Sequence, residues 1–129
     1  MDTIVLTGFP GFLGSRLLPR LLARAPESRA VCLVQPKYEQ VATARVAEIE
    51  GSTPSTAGRI ELVAGDLTAD DLGLADRRSL LGSTTEIWHL AAVYDLSVPR
   101  ALAVRVNVDG THNVLRFAEQ CPRLARHHY

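Results

Sequence analysis

The feature that most limits what this chain can become is the stretch TGFPGFLG at residues 7–14, with glycines at 8, 11 and 14. It follows a short apolar run rich in β-branched residues, Thr3–Thr7. It opens a segment, Phe12–Ala25, in which Leu13, Leu17, Leu18, Leu21 and Leu22 share one helical face and Arg16, Arg20 and Arg24 the other. A buried-type strand that passes through a glycine turn into an amphipathic helix is the setting in which such a triplet cradles a pyrophosphate. In that geometry the first glycine allows the sharp turn out of the strand. The second clears a side chain from the path of the phosphate oxygens, and the third lets the helix lie close on the sheet. The helix N-terminus contributes unpaired N–H groups and the positive end of its dipole. The competing reading is a tight strand–helix turn that binds nothing. Pro19 inside the helix is expected to kink it, because its nitrogen cannot donate to the carbonyl four residues back.

The rest of the chain repeats the strand–helix alternation. Ala30–Val34 (AVCLV), Ile60–Ala64 (IELVA) and Glu86–Leu90 (EIWHL) are further strand candidates, with the little polar alternation expected of strands covered on both faces. Tyr38–Glu50 reads as a second helix, and Asp70–Gly82 holds a short third one. A long helix runs from about Pro99 to Gln120, with Ser97 as its expected N-cap and Pro99 in its first turn. Gly110 costs that helix about 1 kcal/mol relative to Ala, which points to close packing there. His127–Tyr129 begins a fifth strand. No repeat, low-complexity tract or linker divides the chain, so the class is α/β with a parallel sheet.

A chain of 129 residues fits one domain, here residues 1–129, and 47% hydrophobic with 22% charged residues marks it as globular. Lysine plus arginine and aspartate plus glutamate number 14 each, so there is no basic excess to hold nucleic acid or an anionic membrane surface. No apolar run approaches the roughly 18 residues of a membrane span. The first strand starts so near Met1 that no signal peptide is expected, which implies a cytoplasmic protein. Cys32 and Cys121 then read as reduced structural thiols. His127 and His128 lack a third ligand at metal spacing, so no metal is expected.

The spacing of the loop is G-x-x-G-x-x-G, and with Thr7 it resembles the fingerprint of the extended short-chain dehydrogenase/reductase family. GDL at 65–67, HLAA at 89–92 and NVDGT at 107–111 resemble three further motifs of that family, in the same order. TGFPGFLG, GDLTADDLGL and HLAAVYDL look most like the branch holding fatty acyl-CoA reductases and thioester reductase domains. The resemblance implies a Rossmann-type, doubly wound parallel sheet and an NAD(P) cofactor. It also implies cofactor-binding positions at Thr7, Gly8, Gly11, Phe12, Leu13, Gly14, Lys37, Asp66, Leu67, Leu90, Ala91, Ala92 and Asn107. Asp66 would reach the adenine amino group, against the bland reading of a turn aspartate. Asn107 would support the architecture of the site, although it and Thr111 could simply satisfy local backbone groups. His89 has no serine or cysteine partner and reads as structural or close to the cofactor. At the end of the second strand, Val34-Gln35-Pro36-Lys37 offers no acid for a ribose 2′-hydroxyl. That favours NADP, with Lys37 and Arg16 as 2′-phosphate contacts, over NAD.

What the family's chemistry needs is a tyrosine followed four residues later by a lysine, with a serine or threonine. Here Ala42 stands four residues beyond Tyr38 and Val98 beyond Tyr94, Tyr129 is the last residue, and Lys37 is the sole lysine. No catalytic residue is therefore assigned. The expectation is the N-terminal, dinucleotide-binding half of a longer oxidoreductase, stopping at the start of strand five and inactive alone. In the complete protein it would serve hydride transfer to a carbonyl or acyl thioester. The alternatives are a sugar-nucleotide epimerase or dehydratase of the same family, or a non-catalytic dinucleotide-binding or redox-sensing module. Leu102, Val106 and their neighbours on the long helix are expected to be exposed, favouring a homo-oligomer through residues 99–120.

Overall fold

A computed structural model describes residues 1–129. Five strands form one sheet: β1 (Asp2–Thr7), β2 (Ser28–Val34), β3 (Ile60–Ala64), β4 (Thr84–His89) and β5 (Arg126–His128). Their order is β3-β2-β1-β4-β5, and every neighbouring pair is parallel. Alternation along the inner strands sorts side chains onto two faces. Val5, Val31, Leu33 and Ile87 meet Leu80 of α3 (Arg77–Ser83) and Val114, Phe117 and Ala118 of α5 (Gly110–Glu119). Leu6, Ala30, Cys32 and Val34 meet Leu18 and Leu22 of α1 (Phe12–Arg24) and Ala42 and Ile49 of α2 (Glu39–Ser52). Each large side chain buried this way contributes about 1.5–3 kcal/mol. This is the doubly wound α/β arrangement, and its chain order reverses between β1 and β4, the place where such sheets open a cleft.

α1 holds Pro19 in its interior and ends only at Arg24, although proline costs about 3 kcal/mol in a helix interior. Burial of Leu18, Leu21 and Leu22 around it more than offsets that. Ser97 does not cap the long helix, because Asp95 competes for it. Asp95 Oδ1 accepts from the Ser97 N–H at 2.8 Å and from its hydroxyl at 2.7 Å. The helix α4 (Arg100–Val104) starts instead after Pro99, whose carbonyl accepts from Leu102 and Ala103. α4 then passes through a π-helical turn, Arg105–Asp109, into α5. The wider step of that turn rotates the faces. Leu102 and Val106, expected to be exposed, are half-buried, and the exposed apolar residues are Val104, Val108 and Leu115. Gly110 is buried where a Cβ would lie 3.3 Å from that of Leu67.

The short helix expected within Asp70–Gly82 is α3, which starts at Arg77 with the Asp76 carboxylate accepting from the Ser79 N–H. His127 and His128 are half-buried members of β5, and the His128 ring stacks on Trp88 at 3.9 Å between centroids. Cys32 and Cys121 are free and buried, and burial pushes their thiols up to about 12 and about 11. No helix is long and apolar enough to cross a membrane.

Arg59, just ahead of β3, joins the back of the sheet to the end of α1. Its Nε donates to the Ser28 carbonyl at 2.9 Å, Nη1 to that of Ser55 at 3.0 Å, and Nη2 to those of Leu22 at 3.0 Å and Ala25 at 2.7 Å. Arg59→Ala should therefore lower stability in a urea titration by about 2–3 kcal/mol. Arg123→Ala breaks only an exposed pair with Asp2 and should cost less than about 1 kcal/mol. Equal losses would contradict this assignment.

Candidate functional site

At the carboxyl ends of β1, β2 and β3 the sheet opens into a cleft of about 690 Å³, closed on its other side by Val98, Leu102 and Val106. Its floor is the glycine loop. Gly8 has φ +89, and a Cβ there would lie 2.8 Å from the carbonyl carbon of Leu90 and 2.9 Å from the nitrogen of Ala91. Only glycine satisfies both conditions. The Gly8 carbonyl accepts from the Gly11 N–H at 2.9 Å, and a Cβ on either Gly11 or Gly14 would sit 2.7 Å from that same oxygen. A methyl group at any of the three glycines would therefore collide with the loop's own backbone or with that of residues 90–91. Ser15 fastens it from behind, donating to the Pro10 carbonyl at 2.9 Å and accepting from Arg45 of α2 at 2.8 Å.

Where α1 begins, the N–H groups of Phe12, Leu13 and Gly14 have no acceptor in the protein. The first turn holds no acidic side chain and no side-chain cap. Backbone donors at the positive end of a helix dipole, over a glycine floor, suit a phosphate-bearing ligand.

Thr7, Gly8, Gly11, Lys37, Asp66, Leu67, Ala91 and Ala92 all line this cleft. Leu13, Leu90 and Asn107 line instead a second cavity of about 340 Å³, which shares Ala91 and Ala92 with the first and also meets His89, Tyr94, Thr111 and Tyr129. Phe12 and Gly14 line neither cavity. Phe12 is exposed beneath the Arg16 guanidinium, 4.5 Å from its ring centre, so Arg16 lies against Phe12 outside the cleft, and Gly14 is buried under the helix. Lys37 holds its Nζ 5.0 Å over the Tyr38 ring.

Asp66 closes a local turn as well as lining the cleft. Its Oδ1 accepts from the Thr68 hydroxyl at 2.7 Å and the Thr68 N–H at 2.9 Å. Those bonds, helped by the charge of Arg105, hold its pKa below the usual carboxylate value. The Asn107 side chain is spent on the backbone of Val93, accepting from its N–H at 2.8 Å and donating to its carbonyl at 3.1 Å. His89 is buried, with Nδ1 2.6 Å from the Thr7 hydroxyl. Burial, and then the neighbouring His127, lower its pKa from the ordinary 6.5.

The cleft also has an apolar wall that the sequence does not reveal. Tyr38 and Val41 stand exposed at the start of α2 and line the cleft with Leu33, Val98, Leu102 and Val106. In one dimension a Tyr and a Val three residues apart look like any helix surface. No sequence signal marks them, because only the fold shows that both stay uncovered beside the cleft.

The NAD-binding family described as male sterility protein matches residues 6–129. Fatty acyl-CoA reductase 2 of Bos taurus is 31% identical over 95% of this chain and 26% of its own length. The terminal R domain from the myxalamid PKS-NRPS biosynthetic pathway superposes with a TM-score of 0.78 at 32% identity, over 99% of this chain and 34% of that one. The reductase (R) domain of a non-ribosomal peptide synthetase from Mycobacterium tuberculosis gives 0.75 at 29% identity, over 98% and 32%. The chain therefore spans about a quarter of the curated relative and a third of the solved domains.

The lowered pKa of His89 has a consequence for stability. Folding favours its neutral form, so the contribution is complete above the ordinary value of 6.5 and is lost as pH falls through the lowered one. His127 is shifted in the same direction by burial and by His128. The melting temperature should fall between pH 7 and about 5, above the range of ordinary carboxylates. The slope should be shallower in His89→Asn, and identical slopes in the two proteins would contradict it.

Proposed function

The chain belongs to the NAD-binding male sterility protein family, and from that premise we propose that it is the cofactor-holding part of a carbonyl or acyl-thioester reductase that uses NADP(H). The observation that carries this reading is the cradle. Three helix N–H groups without acceptors sit over a floor in which Gly8, Gly11 and Gly14 each exclude a side chain. A nicotinamide dinucleotide supplies a hydride to a carbonyl when bound, and the rest falls to the protein. Phe12, Leu13 and Gly14 hold the pyrophosphate through their N–H groups. Asp66 meets the adenine end with the carboxylate that lines the cleft. Tyr38 and Val41 give that end an apolar wall, and Lys37 beside them meets a 2′-phosphate. Ala91 and Ala92, shared by both cavities, leave the nicotinamide end room to reach the second one.

The relatives named above support a reductase, and the substrate class proposed for the complete protein is the acyl thioester. The second cavity holds Tyr94 and Tyr129 but no lysine, because Lys37 lines the first. For that reason we assign this chain binding and orientation of the cofactor and no proton transfer. A purified chain that reduced an aldehyde or acyl thioester would refute that division of labour.

Titration of the chain with reduced dinucleotides tests the binding. NADPH should bind about tenfold more tightly than NADH, a difference of about 1.4 kcal/mol. Lys37→Ala should remove most of that preference, and Gly11→Ala should weaken both ligands. Equal affinities, unchanged by Lys37→Ala, would overturn the NADP assignment.

A further inference from the structure

The two cavities are joined by one chain of hydrogen bonds whose middle member is His89, and the partners of Thr7 fix which ring nitrogen accepts. The Leu90 and Ala91 N–H groups donate to Thr7 Oγ1 at 3.1 and 3.2 Å. These bonds occupy both lone pairs of the hydroxyl, so its single proton must go to His89 Nδ1, 2.6 Å away. Nδ1 is then an acceptor, and the ring proton lies on Nε2, 3.3 Å from Thr111 Oγ1. The Thr111 hydroxyl donates in turn to the Asn107 carbonyl at 2.7 Å, inside the π-helical turn. The Asn107 side chain closes the circuit on the backbone of Val93, a residue that lines the first cleft.

We propose that His89 is a positioning residue: held as the neutral Nε2–H tautomer between Thr7 and Thr111, it couples the strand end bearing the glycine cradle to the π-helical turn, and so presets the backbone from 90 to 93 on which the nicotinamide end of the cofactor lies. This rests on the reading of the cleft as a dinucleotide site. The ring is suited to the task because it is an acceptor on one edge and a donor on the other, and no aliphatic side chain spans the gap with either. His89 and Thr7 are both almost wholly buried, so water does not replace a lost partner cheaply. Protonation would place a hydrogen on Nδ1 facing an oxygen with no free lone pair, releasing the Ala91 N–H, since the Leu90 N–H keeps the Thr7 carbonyl at 3.3 Å as a second acceptor. The groups facing the ring are the uncharged Thr7 from β1 and Thr111 from α5, His127 from β5, and Tyr94 and Tyr129 across the cavity.

Two readouts test this on the 129-residue chain. Nitrogen-15 NMR of the imidazoles at neutral pH, without ligand, should show His89 Nε2 protonated and Nδ1 bare. NADPH titrations should then show Thr111→Val, which leaves the Thr7 half of the chain intact, binding about fivefold more weakly at an unchanged melting temperature. His89→Leu should bind more weakly still, with part of the affinity restored in His89→Asn, whose Oδ1 stands in for Nδ1. An Nδ1–H tautomer would overturn the proposal. So would wild-type affinity in Thr111→Val, a variant that also serves if His89→Leu fails to fold. A wild-type chain that binds no NADPH would defeat the cofactor reading and the coupling with it, whereas wild-type binding unaffected by these variants would defeat the coupling alone.

Discussion

The structure depends on how closely the ends of two adjacent parallel strands approach. Gly8, leaving β1, runs so near the 90–91 peptide leaving β4 that a single methyl group would collide with it at 2.8 Å. Thr7, one residue earlier, turns the same approach into two hydrogen bonds to the N–H groups of Leu90 and Ala91. The contact closes the sheet at the point where its order reverses. It also sets Gly11, the residue ahead of α1, in the lining of the cleft and brings Ala91 and Ala92 to the boundary of both cavities. A bulkier residue at position 8 would separate the strands at the point where a ligand must be gripped.

Behind that contact the sheet is an ordinary two-faced core. Odd and even positions of β1 and β2 feed separate apolar layers, one with α1 and α2, the other with α3 and α5. The layers fix the strands rigidly enough for the loop geometry to matter, since a closely packed interior transmits small displacements instead of absorbing them. The functional end is polar and irregular by contrast: a left-handed glycine, an Asx turn at Asp66 and a π-helical turn all border the cleft. Turns of these kinds gather where a scaffold presents backbone groups to a ligand.

Most of this frame was legible in the sequence, because local chemistry and tertiary role agree there. The β-branched run before the glycines, the leucine stripe of α1 and the apolar runs of β2 and β3 each have one sensible reading, and each forms the expected element. What misled was competition between neighbours. The apolar run marks the strand only from Glu86, yet β4 begins two residues earlier, where Thr84 satisfies its hydroxyl on the Leu80 carbonyl and Thr85 on that of Thr3. Ser97 looks like a helix cap, yet Asp95 captures it first. The face of the long helix could not be read, because the π-helical turn changes the periodicity midway and turns Leu102 and Val106 toward the cleft. At the site, the glycines announced themselves, whereas the apolar wall of Tyr38 and Val41 is defined only by what the fold leaves uncovered.

An amide-by-amide NMR titration with NADPH measures directly where a dinucleotide touches this chain. The largest shifts should fall on the N–H groups of Phe12, Leu13 and Gly14, with a second set at 91–93 and little change on β5 or α3. Shifts centred elsewhere, or none at concentrations that saturate a reductase, would contradict it.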